Sequence, residues 1–331
     1  MTINKQWVLA SRPDGEARVE NFRLVESPVG KPADGELLIR NDYLSLDPYM
    51  RMRMNDTKSY TAPQALDHVM VGGTAGEVIE SRNPQFAVGD RVVGMLGWQQ
   101  YGISNGVSLR KVDISRVPLS AYLGVVGMPG VTAWWGTNGI IEPKAGETFV
   151  VSAASGAVGA VAGQLAKLKN CRVVGVAGGP EKCRAVVEEF GFDACIDYKA
   201  GRLQADLAAA TPQGIDGYFD NVGGAVLDEV LARMNAFGRI AVCGLISGYN
   251  GEAMPIHHFR SVLLNRLRVQ GFIISEQPQA WAPALAELGE LVAAGGMHYR
   301  ETVSQGIEST PQAFLGLLKG RNFGKQLVKL S

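Results

Sequence analysis

The fold of this chain is decided by a run near its middle, Phe149-Val150-Val151-Ser152-Ala153-Ala154-Ser155-Gly156-Ala157-Val158-Gly159-Ala160. Apolar residues typical of a buried strand lead into a turn of small residues, and an amphipathic stretch ending near Lys169 follows. With Ala154 in the first position, the turn has the spacing A-x-G-x-x-G. Gly156 lets a ligand approach the backbone, and Gly159 lets the helix pack closely on the strand. The run therefore predicts a strand, a phosphate-binding turn and a helix.

Strands and helices alternate in the sequence after this run. This context favours a glycine-rich turn that binds a ligand over one that serves only for packing. The predicted strands are 148–152, 172–176 and 194–196, and the predicted helices are 158–169, 181–190 and 203–210. Strand, helix and strand in this order predict right-handed crossovers and a parallel sheet that is covered on both faces. The fold class predicted for this part is a doubly wound α/β Rossmann fold.

The segments on either side have a different rhythm. From Gln6 to about Ser120, short runs with period-two alternation are separated by Gly and Asp, which predicts an antiparallel barrel or sandwich. From about His298 the chain returns to short strand-like runs, and we expect this tail to rejoin the N-terminal β domain. The predicted domains are residues 1–122, 123–297 and 298–331.

The charge balance excludes several kinds of partner. The chain carries 32 Lys and Arg residues and 32 Asp and Glu residues, so its net charge is zero. No long-range positive field is available to hold a nucleic acid or an anionic membrane. Hydrophobic residues make up 46% and charged residues 19%, which is typical of a compact chain rather than a disordered one.

The cysteines indicate the compartment. They stand far apart in the sequence, as Cys171, Cys183, Cys195 and Cys243. No apolar leader is expected, because charged residues interrupt the N-terminal segment, and we predict free thiols and a cytoplasmic location. The stretches 117–141 and 148–166 lack charge, but their Gly and Pro residues predict buried elements rather than membrane spans.

The end of the second strand indicates which dinucleotide binds. An NAD-binding unit places Asp or Glu at this position, but this chain has Val176-Ala177-Gly178-Gly179-Pro180-Glu181-Lys182. Gly178 and Gly179 leave room, and Lys182 offers a cation for a 2′-phosphate, while Glu181 suits the helix N-terminus. We therefore predict NADPH. The alternative for Lys182 is a solvated lysine at the start of a helix.

Six motifs in one order carry a family resemblance: residues 43–51, 127–133, 153–159, 218–224, 243–250 and 317–325. Together they resemble the zinc-independent medium-chain dehydrogenase/reductases, in the group of the leukotriene B4 12-hydroxydehydrogenase/prostaglandin reductases, plant alkenal double-bond reductases and bacterial curcumin reductases. The resemblance implies a GroES-like β-barrel domain built from both ends of the chain, a Rossmann domain between them and an active site in the cleft. It also implies reduction of the C=C bond of α,β-unsaturated ketones and aldehydes with NADPH.

The same resemblance assigns cofactor contacts residue by residue. At the pyrophosphate they are Ala154, Ser155, Gly156, Ala157 and Val158, and on the adenosine half they are Gly178, Lys182, Tyr198 and Asn221. On the nicotinamide half they are Cys243, Gly244, Leu245, Ile246, Ser247, Tyr249, Phe272, Ile273 and Ile274. Thr132 and Asn322 complete the set. Two plainer interpretations stay open, with Asn221 as a loop cap and Tyr198 as a surface aromatic. The segment 251–259 departs from the family's Pro/Gly-rich loop, so the substrate range is the least transferable inference.

No metal site is predicted. The zinc-dependent relatives use a cysteine in the N-terminal domain and a Gly-His-Glu element, whereas in this chain no cysteine precedes Cys171 and His68 has no adjacent Glu. His257 and His258 are neighbours in the sequence and would point to opposite faces of any regular element. A set of zinc ligands is therefore missing.

Without a metal, reduction requires hydride addition to the β-carbon and a donor to the enolate that develops on the carbonyl oxygen. The candidate catalytic residues are Tyr249 and Tyr49, since a phenol stays protonated at neutral pH. Tyr49 suits a wall of the substrate pocket better than a proton donor, and the cofactor's ribose 2′-hydroxyl competes with both. The alternative functions are a quinone reductase of the same fold and a protein that binds NADPH as a redox sensor without turnover.

One apolar run predicts assembly. Residues 267–274 resemble the last strand of the family's Rossmann sheet. An unpaired apolar edge is a hazard that pairing with a second copy removes, so we predict a homodimer joined through these edges.

Overall fold

The computed structural model describes residues 2–330, which form two compact units. The first unit combines the residues up to Gly124 with those from Glu301 onward, and the second is Val125–Arg300. The sequence places the boundaries at residues 122 and 297, and these remain predictions.

Strands predominate in the first unit, whereas strands and helices alternate in the second. The strands are β1 (Ile3–Leu9), β2 (Phe22–Pro28), β3 (Leu37–Ser45), β4 (Thr74–Ser81), β5 (Arg91–Gly94), β6 (Tyr101–Ser104), β7 (Arg110–Lys111), β8 (Thr148–Ser152), β9 (Arg172–Ala177), β10 (Ala194–Asp197), β11 (Ile215–Asp220), β12 (Met234–Val242), β13 (Arg268–Gly271), β14 (Glu301–Gln305) and β15 (Lys325–Lys329). The α-helices are α1 (Tyr49–Arg53), α2 (Met128–Trp135), α3 (Gly159–Leu168), α4 (Pro180–Glu188), α5 (Leu203–Ala210), α6 (Gly224–Leu231), α7 (Arg260–Leu264), α8 (Pro278–Ala293) and α9 (Thr310–Leu318). Among these helices none is long and apolar enough to cross a membrane.

The first unit is built on a mostly antiparallel sheet with the order β14-β15-β3-β4-β5-β7, in which β6 also pairs with β3. The tail strand β15 pairs antiparallel with β3, with Leu327 opposite Ser45. Trp98 is fully buried in the core of this unit, where it stacks on Phe22 and meets Phe314 edge-on. The C-terminal tail therefore supplies both a strand and core side chains to the N-terminal β domain.

A buried ion pair also joins the tail to the rest of this unit. The Lys325 ammonium lies 2.7 Å from Asp47 Oδ1 and 2.7 Å from the carbonyl oxygen of Leu46, and the Lys325 and Asp47 side chains are only 4% and 9% exposed. Ser45 donates a hydrogen bond to the same carboxylate. The ammonium and the carboxylate are thus each matched by a partner, as buried charges require.

The second unit contains a six-stranded parallel sheet with the order β10-β9-β8-β11-β12-β13. This is the strand order of the Rossmann fold. Every residue of β8 is buried, as expected for a central strand that is covered on both faces. The predicted fold class, a Rossmann doubly wound sheet with a GroES-like β domain, is confirmed.

Candidate active site

Most of the predicted cofactor residues follow the carboxyl ends of the six parallel strands. The turn 153–158 follows β8, Gly178 follows β9, Tyr198 follows β10, Asn221 follows β11, the segment 243–249 follows β12 and the segment 272–274 follows β13. Carboxyl ends of parallel strands share one edge of the sheet, which is where α/β folds bind dinucleotides. The topology therefore brings these residues to a single edge. Thr132 lies on α2, whereas Tyr49 and Asn322 belong to the first unit.

The turn after β8 requires glycine for steric reasons. A Cβ on Gly159 would lie 2.3 Å from the carbonyl oxygen of Ala153, a distance that no side chain tolerates. The Gly156 N–H donates to the same oxygen at 2.9 Å, and Ala153 itself has a left-handed φ of 50°. Helix α3 begins at Gly159, so the N–H groups of its first turn point toward this compact turn.

The turn after β9 is flanked by two lysines. A Cβ on Gly178 would lie 3.1 Å from both the Tyr198 hydroxyl and Lys199 Cε. Burial lowers the pKa of Lys182, and the charge of Lys199 lowers it further. Two ammonium groups thus share one small space, where an anion would relieve their repulsion. This arrangement fits the 2′-phosphate of NADPH.

An aspartate that the sequence motifs do not single out holds this turn in place. Asp197 Oδ1 accepts hydrogen bonds from the Gly179 N–H at 2.7 Å and the Lys199 N–H at 3.0 Å. The carboxylate comes from the end of β10 and not from the end of β9, where an NAD-binding acid is expected. It is therefore a cap for two backbone N–H groups.

The turn after β11 is organised by a buried aspartate, which lies within the motif 218–224 but was given no role from the sequence. Asp220 Oδ1 accepts hydrogen bonds from the Tyr218 hydroxyl and from two backbone N–H groups, those of Val222 and Gly223. Burial raises the pKa of Asp220, and the donated bonds oppose that shift. The only signal in the sequence is an acidic residue at the end of an apolar strand, before Gly223-Gly224.

Asn221 is held by two hydrogen bonds to Ser152. Its side-chain nitrogen donates to the Ser152 carbonyl oxygen at 2.8 Å, and its N–H donates to the Ser152 hydroxyl at 2.8 Å. These bonds join the ends of β8 and β11, as a loop cap does.

The segment after β12 brings Tyr249 back over the end of the strand. The N–H groups of Cys243 and Gly244 donate to the Asp220 carbonyl oxygen, and the Leu245 N–H donates to the Tyr249 hydroxyl at 3.4 Å. A Cβ on Gly244 would lie 3.2 Å from that hydroxyl. Burial, with the nearby Asp220, raises the pKa of Cys243 to about 12, so its thiol stays protonated.

The remaining candidates of the second unit are held by packing and local hydrogen bonds. The Phe272 ring meets Phe219 edge-on, and Ile274 is buried. The Thr132 hydroxyl donates to the Met128 carbonyl oxygen of its own helix, and the Ser247 hydroxyl donates to the Val222 carbonyl oxygen. Phe272 and Ile274 are therefore both packed into the core directly after β13.

Two candidates lie in the first unit. Tyr49 opens α1, and burial, followed by the charge of Asp47, raises its pKa, so the phenol is protonated at neutral pH. The Asn322 side chain donates to the Gly324 carbonyl oxygen at 2.7 Å within the turn before β15. Tyr49 can donate a proton, whereas Asn322 stabilises its own turn.

Comparison with known proteins identifies the family. Residues 5–112 match the family model described as the N-terminal domain of oxidoreductase, and residues 157–290 match the model described as zinc-binding dehydrogenase. The chain is 50% identical to the NADPH-dependent curcumin reductase of Escherichia coli, over 99% of this chain and 97% of that protein. It is 42% identical to prostaglandin reductase 1 of Rattus norvegicus, over 99% of this chain and 100% of that protein. The chain belongs to the curcumin and prostaglandin reductase group of the medium-chain dehydrogenase/reductases.

A solved structure of this reductase group has the same fold along its whole length. The crystal structure of CurA from Vibrio vulnificus in complex with NADPH superposes with a TM-score of 0.95, at 46% identity, and covers 99% of each chain. The predicted resemblance to this group of reductases is thereby confirmed.

The description of the second family model raises the question of zinc in this reductase. Across residues 2–330, no three His, Cys, Asp or Glu side chains form a group that could hold a metal ion. The absence of zinc from the reaction stays a prediction.

Proposed function

We propose that this reductase uses NADPH to reduce the C=C bond of α,β-unsaturated ketones and aldehydes. The observation that carries the proposal is the pair of neighbouring cations Lys182 and Lys199, of which Lys199 lies beside Gly178, on the sheet edge that holds the turn 153–158. Two cations at that turn suit the 2′-phosphate that distinguishes NADPH from NADH. The activities named for the curcumin and prostaglandin reductases support the substrate class.

The residues divide the work between binding and chemistry. The first turn of α3 would hold the pyrophosphate, Lys182 and Lys199 would hold the 2′-phosphate, and Tyr198 would contribute to binding the adenosine half. The chemistry that NADPH would supply when bound is a hydride for the substrate's β-carbon. The segment 272–274, which follows β13, would lie along the nicotinamide half.

The protein's chemical contribution is a donor to the enolate oxygen. We propose the Tyr249 hydroxyl, which lies beside Gly244 and Leu245 at the end of β12. A phenol is protonated at neutral pH and donates a hydrogen bond without losing its proton. Tyr49 is proposed as a wall of the substrate pocket. The α-carbon then takes a proton from solvent or a nearby hydroxyl.

Assembly, metal and location complete the proposal. We propose a homodimer joined through the β13 edges, a reaction that needs no zinc, and a cytoplasmic location. The exposed residues of β13 support the homodimer. The lack of zinc-ligand spacing in the sequence supports a reaction without zinc. Four cysteines without disulfide bonds support the cytoplasmic location.

The test is NADPH oxidation with a panel of enones, enals and quinones of matched size. We expect turnover of enones and enals with the C=C bond reduced and the carbonyl intact, as checked by mass spectrometry of the product. Faster turnover of quinones would favour the quinone reductase alternative. NADPH binding without turnover of any class would favour the redox-sensing alternative.

A further inference from the structure

Two cysteine thiols meet beside the proposed 2′-phosphate site. Cys183 lies in the first half of α4 and Cys195 lies in β10, and the two side chains are within hydrogen-bonding reach of each other. Both residues are partly exposed. Neither thiol takes part in the proposed reduction.

The packing of α4 on the sheet explains why the thiols meet. β10 pairs with β9, and Cys195 is opposite Gly175. A Cβ on Gly175 would lie 3.0 Å from Val186 of α4, so α4 covers this face of the sheet. Cys183 stands one helical turn before Val186 and shares its face. Both thiols therefore project into the interface between α4 and β10.

The surroundings make the two sulfurs chemically unequal. The hydrogen bond from Cys195 lowers the pKa of Cys183, although burial and Asp197 oppose that shift. The same bond, followed by burial, raises the pKa of Cys195. The N–H groups of the first turn of α4 also favour a thiolate nearby. Cys183 is thus the nucleophile of the pair.

We propose that Cys183 and Cys195 form a reversible disulfide when peroxide is present, and that this disulfide weakens NADPH binding. The Cys183 thiolate attacks one oxygen of hydrogen peroxide, the O–O bond breaks, and a sulfenic acid and hydroxide form. The Cys195 sulfur then attacks the sulfenic sulfur, and the hydroxyl leaves as water. The net reaction takes two thiols and one peroxide to one disulfide and two waters. A dithiol reductant reverses it.

The effect on NADPH rests on the proposed function of Lys182. A disulfide holds its sulfurs about 2.05 Å apart, which is closer than any thiol hydrogen bond. Closure therefore pulls the first half of α4 toward β10. Lys182 immediately precedes Cys183 and moves with it, which changes its position relative to Lys199. By linkage, bound NADPH protects the reduced pair to the same degree.

The first experiment counts thiols and needs no cofactor. The purified reductase is treated with hydrogen peroxide, denatured, alkylated and weighed by mass spectrometry. We expect all four cysteines to be alkylated before treatment and two after it. The control variant Cys171→Ala should likewise lose two alkylated thiols on treatment. Cys183→Ser should lose none, and Cys195→Ser should accumulate a sulfenic acid that dimedone traps. Loss of thiols in Cys183→Ser equal to that in the wild type overturns the proposal.

The second experiment measures NADPH affinity by fluorescence titration before and after oxidation. We expect the NADPH Kd to rise about tenfold on oxidation and to recover with dithiothreitol, with no change in Cys183→Ser. NADH affinity should stay constant. A disulfide that leaves the NADPH Kd unchanged overturns the coupling. If the reduced wild type fails to bind NADPH, the proposed function fails instead, and the thiol count still decides the disulfide.

Discussion

The Tyr249 hydroxyl lies 3.4 Å from the backbone nitrogen of Leu245, and it accepts a long hydrogen bond from that N–H. The bond uses a lone pair of the phenol oxygen, and the hydroxyl lies beside Gly244. A phenol O–H is also a hydrogen-bond donor, which is what an enolate oxygen requires.

Replacing this one hydroxyl tests the donor role. In Tyr249→Phe, kcat for an enone should fall about 10²-fold, since a single oxyanion donor in a dry site is worth roughly 2.7–4 kcal/mol. The NADPH Kd should stay nearly constant, because the ring and its packing remain. Steady-state kinetics together with fluorescence titration measure both. If kcat decreases by less than threefold, the donor is water or the cofactor's ribose hydroxyl.

Lys182→Ala tests the choice of cofactor. A charge-assisted contact to a phosphate is worth about 1.5–3 kcal/mol, so the NADPH Kd should rise roughly 10- to 150-fold while the NADH Kd hardly changes. Lys199→Ala should show the same selectivity. The matched control is Lys169→Ala, at the other end of α3, which should alter neither Kd. Equal losses for NADPH and NADH would make Lys182 a structural residue.

The edge strand β13 is the basis for the dimer. Its residues are all exposed, and Leu263 nearby is 78% exposed and Phe259 is 68% exposed. Sedimentation at micromolar concentration should show twice the chain mass of 35.4 kDa. Val269→Lys should give the monomer, whereas Val303→Lys on the other sheet should not. A wild-type monomer contradicts the prediction.

Prolonged dialysis against a chelator tests the metal-free reaction. We expect the rate to be unchanged, because the residues before Cys171 offer no thiolate and His68 is the one imidazole among them. Activity and zinc content are measured on the same sample. Activity that is lost on chelation and restored by zinc would overturn hydride addition without a Lewis acid.

The ion pair between Lys325 and Asp47 should matter for stability. Lys325→Met leaves a buried carboxylate without its cation, so the free energy of unfolding should fall by about 3–5 kcal/mol in urea titrations. Lys329→Met, on the same strand but exposed, is the control and should change it little. The double variant Asp47→Leu with Lys325→Met should recover part of the loss. A single variant as stable as the wild type would contradict this prediction.

The strands and helices of the parallel sheet could be predicted closely because turn residues flank each apolar run in the sequence. The predicted strand at 148–152 and helix at 203–210 match β8 and α5. Other elements were missed or misplaced. Helix α1 is five residues long and has no periodicity, and β2 has one fully buried residue, Phe22, and no regular alternation of burial. The run 267–274 ends as a strand at Gly271, because Phe272 turns inward against Phe219.

The site was predictable only where one segment carries the signal. The glycines of the turn 153–158 and Lys182 stand in local motifs. Lys199 and Asp197 reach the same turn from β10, which is beside β9 only after the sheet has formed. The Cys183–Cys195 contact has the same origin, since a separation of twelve positions hides it from any local pattern.

The insertion of β15 between β14 and β3 has a consequence for biosynthesis. The sheet of the first unit cannot be completed until residue 329 has left the ribosome, although β3 is made near the beginning. At about 5–20 residues per second, β3 waits roughly 14–60 s with an open edge. The second unit is continuous in sequence and can fold during that interval. A nascent chain therefore carries a finished cofactor domain before its first domain exists, and chaperones would meet it in that state.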